Sequence, residues 1–437
     1  MDSKGSDRLT RVSRDKMKLR FTVPSGEVSR RELLALAWPR YEVIPYIEAD
    51  KCRGYEECGL CADSCRLKAI DIEGDEVTVD TTLCSGCGAC VEVCPFRAII
   101  YPTFSLEKLD EKLEDFLLPG HKARQPKIIA AVCQRCLPEV VGDKVAHPAY
   151  PDSVLLLPVP CLAMVSPWLI LRAFDMGAQG FVVVSGGSEC HSGYDLTRVR
   201  DNIRFVQGLL KGWNIETQRV RVFEVAGDGT SDIEDKIGDF ARQIAGLGPT
   251  PLDISQPTLV PDEGLRLPAL IKGIRDKLGN SPEGVVVAGA VPFGRLELAG
   301  AKCTGCGLCA LDCPTGAMSD LFNEETDVYQ ILFKHDTCVA CGRCIEVCPE
   351  KCLSLERILE MDKLGVPATL LFEDSVVRCA QCGVPVGSRS MVDSIKARLL
   401  AAGQSPPDEI ELCPTCKIRA QFRSWDSGGE PVKPVVS

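Results

Sequence analysis

Cysteine dominates the chemistry open to this chain, supplying 25 of its 437 residues, and three stretches space it identically. Cys84, Cys87, Cys90 and Cys94 with Pro95 follow Cys-x2-Cys-x2-Cys-x3-Cys-Pro. So do Cys303, Cys306, Cys309 and Cys313 with Pro314, and Cys338, Cys341, Cys344 and Cys348 with Pro349. Thiolates are soft ligands suited to iron and zinc. Three of them on a tight loop grip three corners of an iron–sulfur cube, while the fourth starts a turn that points away. The small residues Gly305, Gly307, Ala340 and Gly342 let backbone amides approach the sulfur atoms. Structural zinc fits these runs poorly, because zinc ribbons use paired Cys-x2-Cys knuckles rather than runs of four.

The pattern resembles the bacterial two-cluster ferredoxin family. That resemblance implies crossed ligand sets: Cys303, Cys306, Cys309 and Cys348 for one cluster, and Cys338, Cys341, Cys344 and Cys313 for its neighbour. The segment Cys52 to Ile100 repeats the module with one departure. Its opening run is Cys52-x5-Cys58-x2-Cys61-x3-Cys65, with three residues inserted and Arg66 where proline would stand. The same crossing gives Cys52, Cys58, Cys61 and Cys94 for one cluster, and Cys84, Cys87, Cys90 and Cys65 for the other. Four [4Fe-4S] clusters are therefore implied, and the longer loop is expected to change the potential or solvent access of the first.

Between the two modules lies the stretch that must position a further site. The apolar runs Ile128 to Val132, Ser153 to Val159, Gly180 to Val184 and Val220 to Val225 are short, β-branched and bounded by turn residues. Helical patterns separate the later ones, which predicts a parallel sheet. Cys133 and Cys136 follow the first strand, Cys161 the second and Cys190 the third, where open α/β sheets place their ligands beyond the strand ends. Cys133-Gln-Arg-Cys136, Val159-Pro-Cys161, Ala173-Phe-Asp-Met-Gly-Ala178, Gly180-Phe-Val-Val-Val184 and Glu189-Cys-His191 together resemble the delta iron–sulfur subunit of methyl-viologen-reducing hydrogenase. The resemblance covers about a hundred residues. It implies one [2Fe-2S] cluster on Cys133, Cys136, Cys161 and Cys190; the adjoining His191 reads either as a hydrogen-bond donor that tunes the cluster or as a packed or solvated side chain. It also implies electron transfer between a hydrogenase or other donor and a flavin-containing heterodisulfide-reductase subunit. The family pattern has a further cysteine before the loop that here reads Ser185-Gly-Gly-Ser188; the remaining four suffice for two irons.

Cys379-x2-Cys382 and Cys413-x2-Cys416, joined by thirty residues, read as a zinc ribbon: a closed, redox-silent site whose task is to fold the C-terminal segment. A further iron–sulfur cluster is the rival there. Cys352 has no obvious partner and reads as a packed thiol. No Gly-x-Gly-x-x-Gly follows a strand and no phosphate loop is present, so nicotinamide, flavin and nucleotide sites are not expected on this chain. Its four histidines, His121, His147, His191 and His335, form no hydrolase pattern, and no catalytic residues are assigned.

The expected fold is multidomain α/β and α+β. Two ferredoxin-like dicluster modules, 41–104 and 299–360, flank a small parallel α/β domain, 127–247, and a zinc-ribbon-like segment, 370–425, follows. A basic arm at 1–40, a linker helix at 105–126, a linker and helix at 248–298 and a tail at 426–437 complete the chain. The net charge of −11 speaks against a nucleic-acid partner. Locally, residues 1–40 hold ten Lys or Arg against five Asp or Glu, which reads as a solvated arm. Met1 to Phe21 lacks the apolar core of a signal peptide, and the most apolar stretch, Ser153 to Ala173, is broken by prolines. A cytoplasmic protein with no integral membrane span is expected. The function expected is a cytoplasmic electron-transfer subunit between a hydrogenase, ferredoxin or dehydrogenase donor and a heterodisulfide-reductase-like flavoprotein. The alternatives are a thiol–disulfide redox enzyme using Cys133 and Cys136, and a metal-stabilised assembly scaffold.

Overall fold

The computed structural model describes residues 18–19, 41–42, 44–52, 58–73, 76–102, 104, 106–117, 125–134, 151–185, 196–224, 230–252, 257–259, 265–279, 286–289 and 291–426. Nearly all of the basic arm, with the short helix expected at Arg30 to Trp38, and the tail beyond Asp426 lie outside them. So do Cys136, Cys190 and His191. The chain divides into two compact units, Met1–Ala290 and Val291–Ser437.

In the first unit, β1 (Lys18–Leu19) and β2 (Tyr41–Glu42) pair antiparallel. The first cysteine-rich module follows as β3 (Tyr46–Ile47), α1 (Leu60–Ser64), β4 (Ile70–Glu73), β5 (Glu76–Val79), α2 (Ala89–Val93) and β6 (Ile99–Ile100). β3 pairs with β6 and β4 with β5, both antiparallel, so the module is two half-repeats, each a cysteine loop and a one-turn helix between two strands, and each strand pair takes one strand from either half. Ile70, Cys90 and Ile99 form its buried centre. Helix α3 (Leu106–Leu117) buries Leu109, Leu113, Phe116 and Leu117, the i, i+4, i+7, i+8 stripe of an amphipathic helix. Its last carbonyl, that of Leu117, accepts a bond from Lys127 Nζ at 2.8 Å, which places a cation at the negative end of the helix.

The central sheet is parallel, as the alternation predicts. β7 (Ile128–Cys133), β8 (Val154–Val159), β9 (Gly180–Ser185) and β10 (Val220–Glu224) lie in the order β10-β9-β7-β8. β7 and β9 are buried at every position, as expected of inner strands covered on both faces. Helix α4 (Pro167–Asp175) begins where Ser166 Oγ accepts the Leu169 amide at 3.3 Å, with proline at the first helical position. Helices α5 (Thr197–Gly212), α6 (Thr230–Leu247) and α7 (Arg266–Leu278) follow. The last is the helix expected within 248–298, and it begins at Arg266. Pro268 sits in its first turn, where no amide donor is needed. Buried Asp175 ties this part together, accepting from Arg172 Nη1 at 3.0 Å and from the Thr258 amide and hydroxyl at 2.8 and 2.7 Å, and pairing with Lys277 of α7. β11 (Val286–Ala288) ends the unit.

The second unit repeats the module with longer strands. β12 (Gly294–Leu298) pairs antiparallel with β15 (Leu353–Glu360), and β13 (Met318–Asn323) with β14 (Val328–Phe333). One-turn helices α8 (Leu308–Leu311) and α9 (Arg343–Glu346) carry the third cysteine of each run. The β13-β14 hairpin is then extended by β16 (Thr369–Arg378) and β17 (Pro385–Ser388) into a four-stranded sheet. Helices α10 (Arg389–Ala401) and α11 (Pro414–Asp426) close the unit. Among the described residues, no helix is long and apolar enough to cross a membrane.

Candidate metal centres

All four cysteine runs share one backbone signature. Gly59, Gly88, Gly307 and Gly342, each two residues before the third cysteine of its run, have φ of +75°, +72°, +77° and +87°. This left-handed residue turns each loop into its one-turn helix, a step that a Cβ would oppose. Three residues after each fourth cysteine stands another positive-φ residue: Lys68, Arg97, Gly316 and Lys351. The run with the insertion thus regains the common path by Cys58, and the extra residues are confined between its first two cysteines.

The loops gather cysteines in the crossed manner. Cys52, Cys58, Cys61 and Cys94 line one cavity with Ile72 and Ile99. Burial, then the neighbouring sulfurs of Cys58, Cys94 and Cys52, push the Cys61 thiol up to about 12. Burial likewise raises Cys90, whose neighbouring sulfurs are those of Cys87, Cys84, Cys61 and Cys65. In the second unit, Cys303, Cys306, Cys309 and Cys348 line one cavity together with Cys352. Around Cys344, pushed up to about 12 by burial, stand Cys338, Cys341 and Cys313. Buried thiols crowded in this way resist ionising together, and a multivalent cationic core relieves both the desolvation and the repulsion. Backbone amides already point at several sulfurs: Ala69 N to Cys65 Sγ at 3.2 Å, Ala98 N to Cys94 Sγ at 3.3 Å, Gly305 N to Cys303 Sγ at 3.4 Å and Met318 N to Cys313 Sγ at 3.3 Å. These donors suit thiolates rather than neutral thiols.

The central sheet brings together two of its four cysteines within the described residues. Cys133 ends β7, whose neighbour β8 is in register at Val159, and Cys161 follows two residues later. Both are buried, and Cys133 Sγ lies 3.7 Å from the Pro160 carbonyl. The chain leaves β7 for β8 on one side and returns to β9 on the other. The switch point therefore lies at the carboxyl end of β7, where such sheets hold ligands.

This end of the sheet meets the first module. Helix α2, which bears Cys90, packs on the turn Leu162–Met164 that follows Cys161. A Cβ on Gly88 would stand 2.6 Å from Met164 Sδ. Glu92 of α2 receives the Ser166 hydroxyl; desolvation there pushes its carboxyl up to about 7, against the pull of that bond and of Arg198. Nothing in the spacing of either motif pointed to this contact.

The C-terminal quartet differs in geometry. The sulfurs of Cys379, Cys382, Cys413 and Cys416 all lie within 4.8 Å of one another, and among the described residues they are the one such group gathered for a single metal ion. Four thiolates at about 2.3 Å from one tetrahedral ion stand about 3.8 Å apart. Amides of Cys413, Cys382 and Gln381 hold the Cys379 thiol down to about 6. The two knuckles are joined where the Ala380 amide donates to the Glu411 carbonyl at 3.1 Å. Ser388, fully buried at the end of β17, donates to the Thr304 carbonyl at 2.6 Å and caps α10 through the Met391 amide.

Loops of this type, repeated four times with crossed cysteine quartets, define an iron–sulfur protein of the [4Fe-4S] class. A 4Fe-4S binding-domain model matches residues 77–100 and a 4Fe-4S dicluster-domain model residues 296–350. The model of the methyl-viologen-reducing hydrogenase delta subunit matches residues 128–248. A ferredoxin of Methanothermococcus thermolithotrophicus is 43% identical over 54 residues, which are 88% of that protein and 12% of this chain. The chain belongs to the 4Fe-4S ferredoxin family through its two cysteine-rich modules, and between them it carries a hydrogenase delta-subunit domain. The iron–sulfur subunit of the F420-non-reducing hydrogenase of Archaeoglobus profundus is 28% identical over 131 residues, 93% of that protein and 29% of this chain. One subunit of the ferredoxin/F(420)H(2)-dependent CoB-CoM heterodisulfide reductase of Methanosarcina acetivorans is 26% identical over 221 residues. That match takes in 49% of this chain but spans 27% of the reductase protein's own length. The chain is thus an iron–sulfur protein related to subunits of heterodisulfide reductase and of F420-non-reducing hydrogenase.

Proposed function

We propose that the chain relays electrons within a multisubunit oxidoreductase, between a hydrogenase, ferredoxin or dehydrogenase donor and a flavin-containing, heterodisulfide-reductase-like subunit. Four [4Fe-4S] clusters would sit on the crossed quartets and one [2Fe-2S] cluster on Cys133, Cys136, Cys161 and Cys190, each storing one electron at a time. The protein supplies the thiolates, the amide donors and the burial that set the potentials. One zinc ion in the C-terminal quartet accords with its tetrahedral spacing, since thiolates on four separate irons stand farther apart than thiolates on one ion.

The observation that carries the reading is the seating of α2 and Gly88 on the turn that follows Cys161. Electrons tunnel only across short gaps, and here the ligand loop of one ferredoxin-type cluster adjoins that of the central site inside one compact unit. The test is iron, sulfide and zinc content of anaerobically purified protein, with EPR during stepwise reduction. About 18 iron, four clusters of four and one of two, is expected, with a two-iron signal that disappears in Cys161→Ser. About 16 iron, unaffected by Cys161→Ser, would make Cys133 and Cys136 a thiol–disulfide site. Metal that cannot be reduced would mark a scaffold.

A further inference from the structure

We propose that Cys352 is a positioning residue for one cluster: its thiol donates a hydrogen bond to the ligand sulfurs of the Cys303, Cys306, Cys309 and Cys348 site and raises that site's reduction potential. The inference rests on the crossed ligand set proposed above.

Cys352 is buried and lines the same cavity as those four cysteines. Its sulfur lies 3.5 Å from Cys348 Sγ, and its side chain is also hydrogen-bonded to Cys303. The backbone is pinned, because the Cys352 carbonyl accepts the Ala299 amide at 2.8 Å just before β15 pairs with β12. The fifth thiol therefore faces two sulfurs of a quartet that is already complete. The repeat shows what the place ordinarily requires. Four residues after the last cysteine of the other three runs stand Ala69, Ala98 and Ala317, exposed by 1%, 1% and 2%. Packing there calls for a small apolar side chain, and alanine meets it. Cys352 is larger by one sulfur atom, still buried at 5% exposure, and adds one donor.

A thiol in an apolar setting keeps its proton and can donate it. A hydrogen bond to a ligand sulfur stabilises the more negative, reduced cluster more than the oxidised one, which raises the potential. The two clusters of the second module would then differ for a reason their shared ligand motif does not contain.

The experiment is an EPR-monitored redox titration of the full-length, anaerobically purified protein, beside Cys352→Ala and Cys352→Ser. Iron content is expected to be the same in all three. In Cys352→Ala one four-iron midpoint falls, with the equilibrium shifting toward the oxidised form by about tenfold, or about 59 mV for one electron. In Cys352→Ser the hydroxyl restores most of that shift, which loss of packing would not allow. The affected midpoint should be the one lost in Cys306→Ala. Unchanged midpoints at full iron content would overturn the role of Cys352 and leave the clusters standing. Loss of four irons in Cys352→Ala would make it a ligand and overturn the crossed set itself.

Discussion

At the scale of single residues, the second unit holds a histidine whose surroundings dictate its protonation. His335 is buried, its Nε2 accepts the Glu360 amide at 3.0 Å, and Nδ1 therefore carries the proton it donates to the Gly294 carbonyl at 3.0 Å. A second proton would point an N–H at the Glu360 N–H. Burial lowers its pKa, opposed by the Gly294 carbonyl and the charges of Glu360, Asp336 and Asp362. With the folded value below the unfolded value of about 6.5, the unfolded chain takes up the proton first. Stability is thus complete above about pH 6.5 and falls as the pH drops below it. The urea midpoint of the second unit should decline between pH 7.5 and 5.5, and His335→Asn should flatten that decline while lowering stability throughout. Cys352, Glu92 and Ser388 also act at this scale, and none is a ligand position of a cysteine motif. Their neighbours Cys348, Ser166 and Thr304 are brought to them by the fold.

At the scale of elements, the one-turn helices decide what each cysteine loop can approach. Gly88 combines a left-handed backbone with contact against Met164. Gly88→Ala should cost about 1–2 kcal/mol for the conformation alone, and the clash with Met164 adds to it. The expected outcome is full iron content with slower electron exchange between the first module and the central site, read by rapid-freeze EPR; unchanged exchange would mean that this contact does not carry the electron. Much at this scale was legible. The four strands of the central sheet stand where the β-branched runs end at turn residues, because buried parallel strands leave a continuous apolar signature. The β13-β14 hairpin and its extension by β16 and β17 were not anticipated. Their alternating, partly exposed residues resemble ordinary surface segments until a partner strand is known.

At the scale of the whole molecule, each compact unit combines a cysteine-rich ferredoxin-type module with a companion: the delta-subunit domain in the first, the C-terminal quartet in the second. In the second unit the link runs from β17 through Ser388 to the Thr304 carbonyl, inside the first cysteine loop. Cys413→Ala should therefore lose the single metal ion and lower the thermal midpoint of this unit by about 10 °C, or about 3 kcal/mol, with little loss of iron. A midpoint equal to wild type would make the quartet dispensable to folding. The cysteine spacing determined the class of cofactor and the doubled module, and the apolar runs the position of the central sheet, since ligand loops and buried strands are local patterns readable along the chain. The crossing of Cys94 and Cys348 to the opposite runs was already implied by the ferredoxin resemblance. Only the tertiary structure decided that α2 rests beside Cys161 and that Cys352 faces a completed quartet. Those are contacts between residues distant in sequence or hidden within a turn, and their energies arise only when the elements pack.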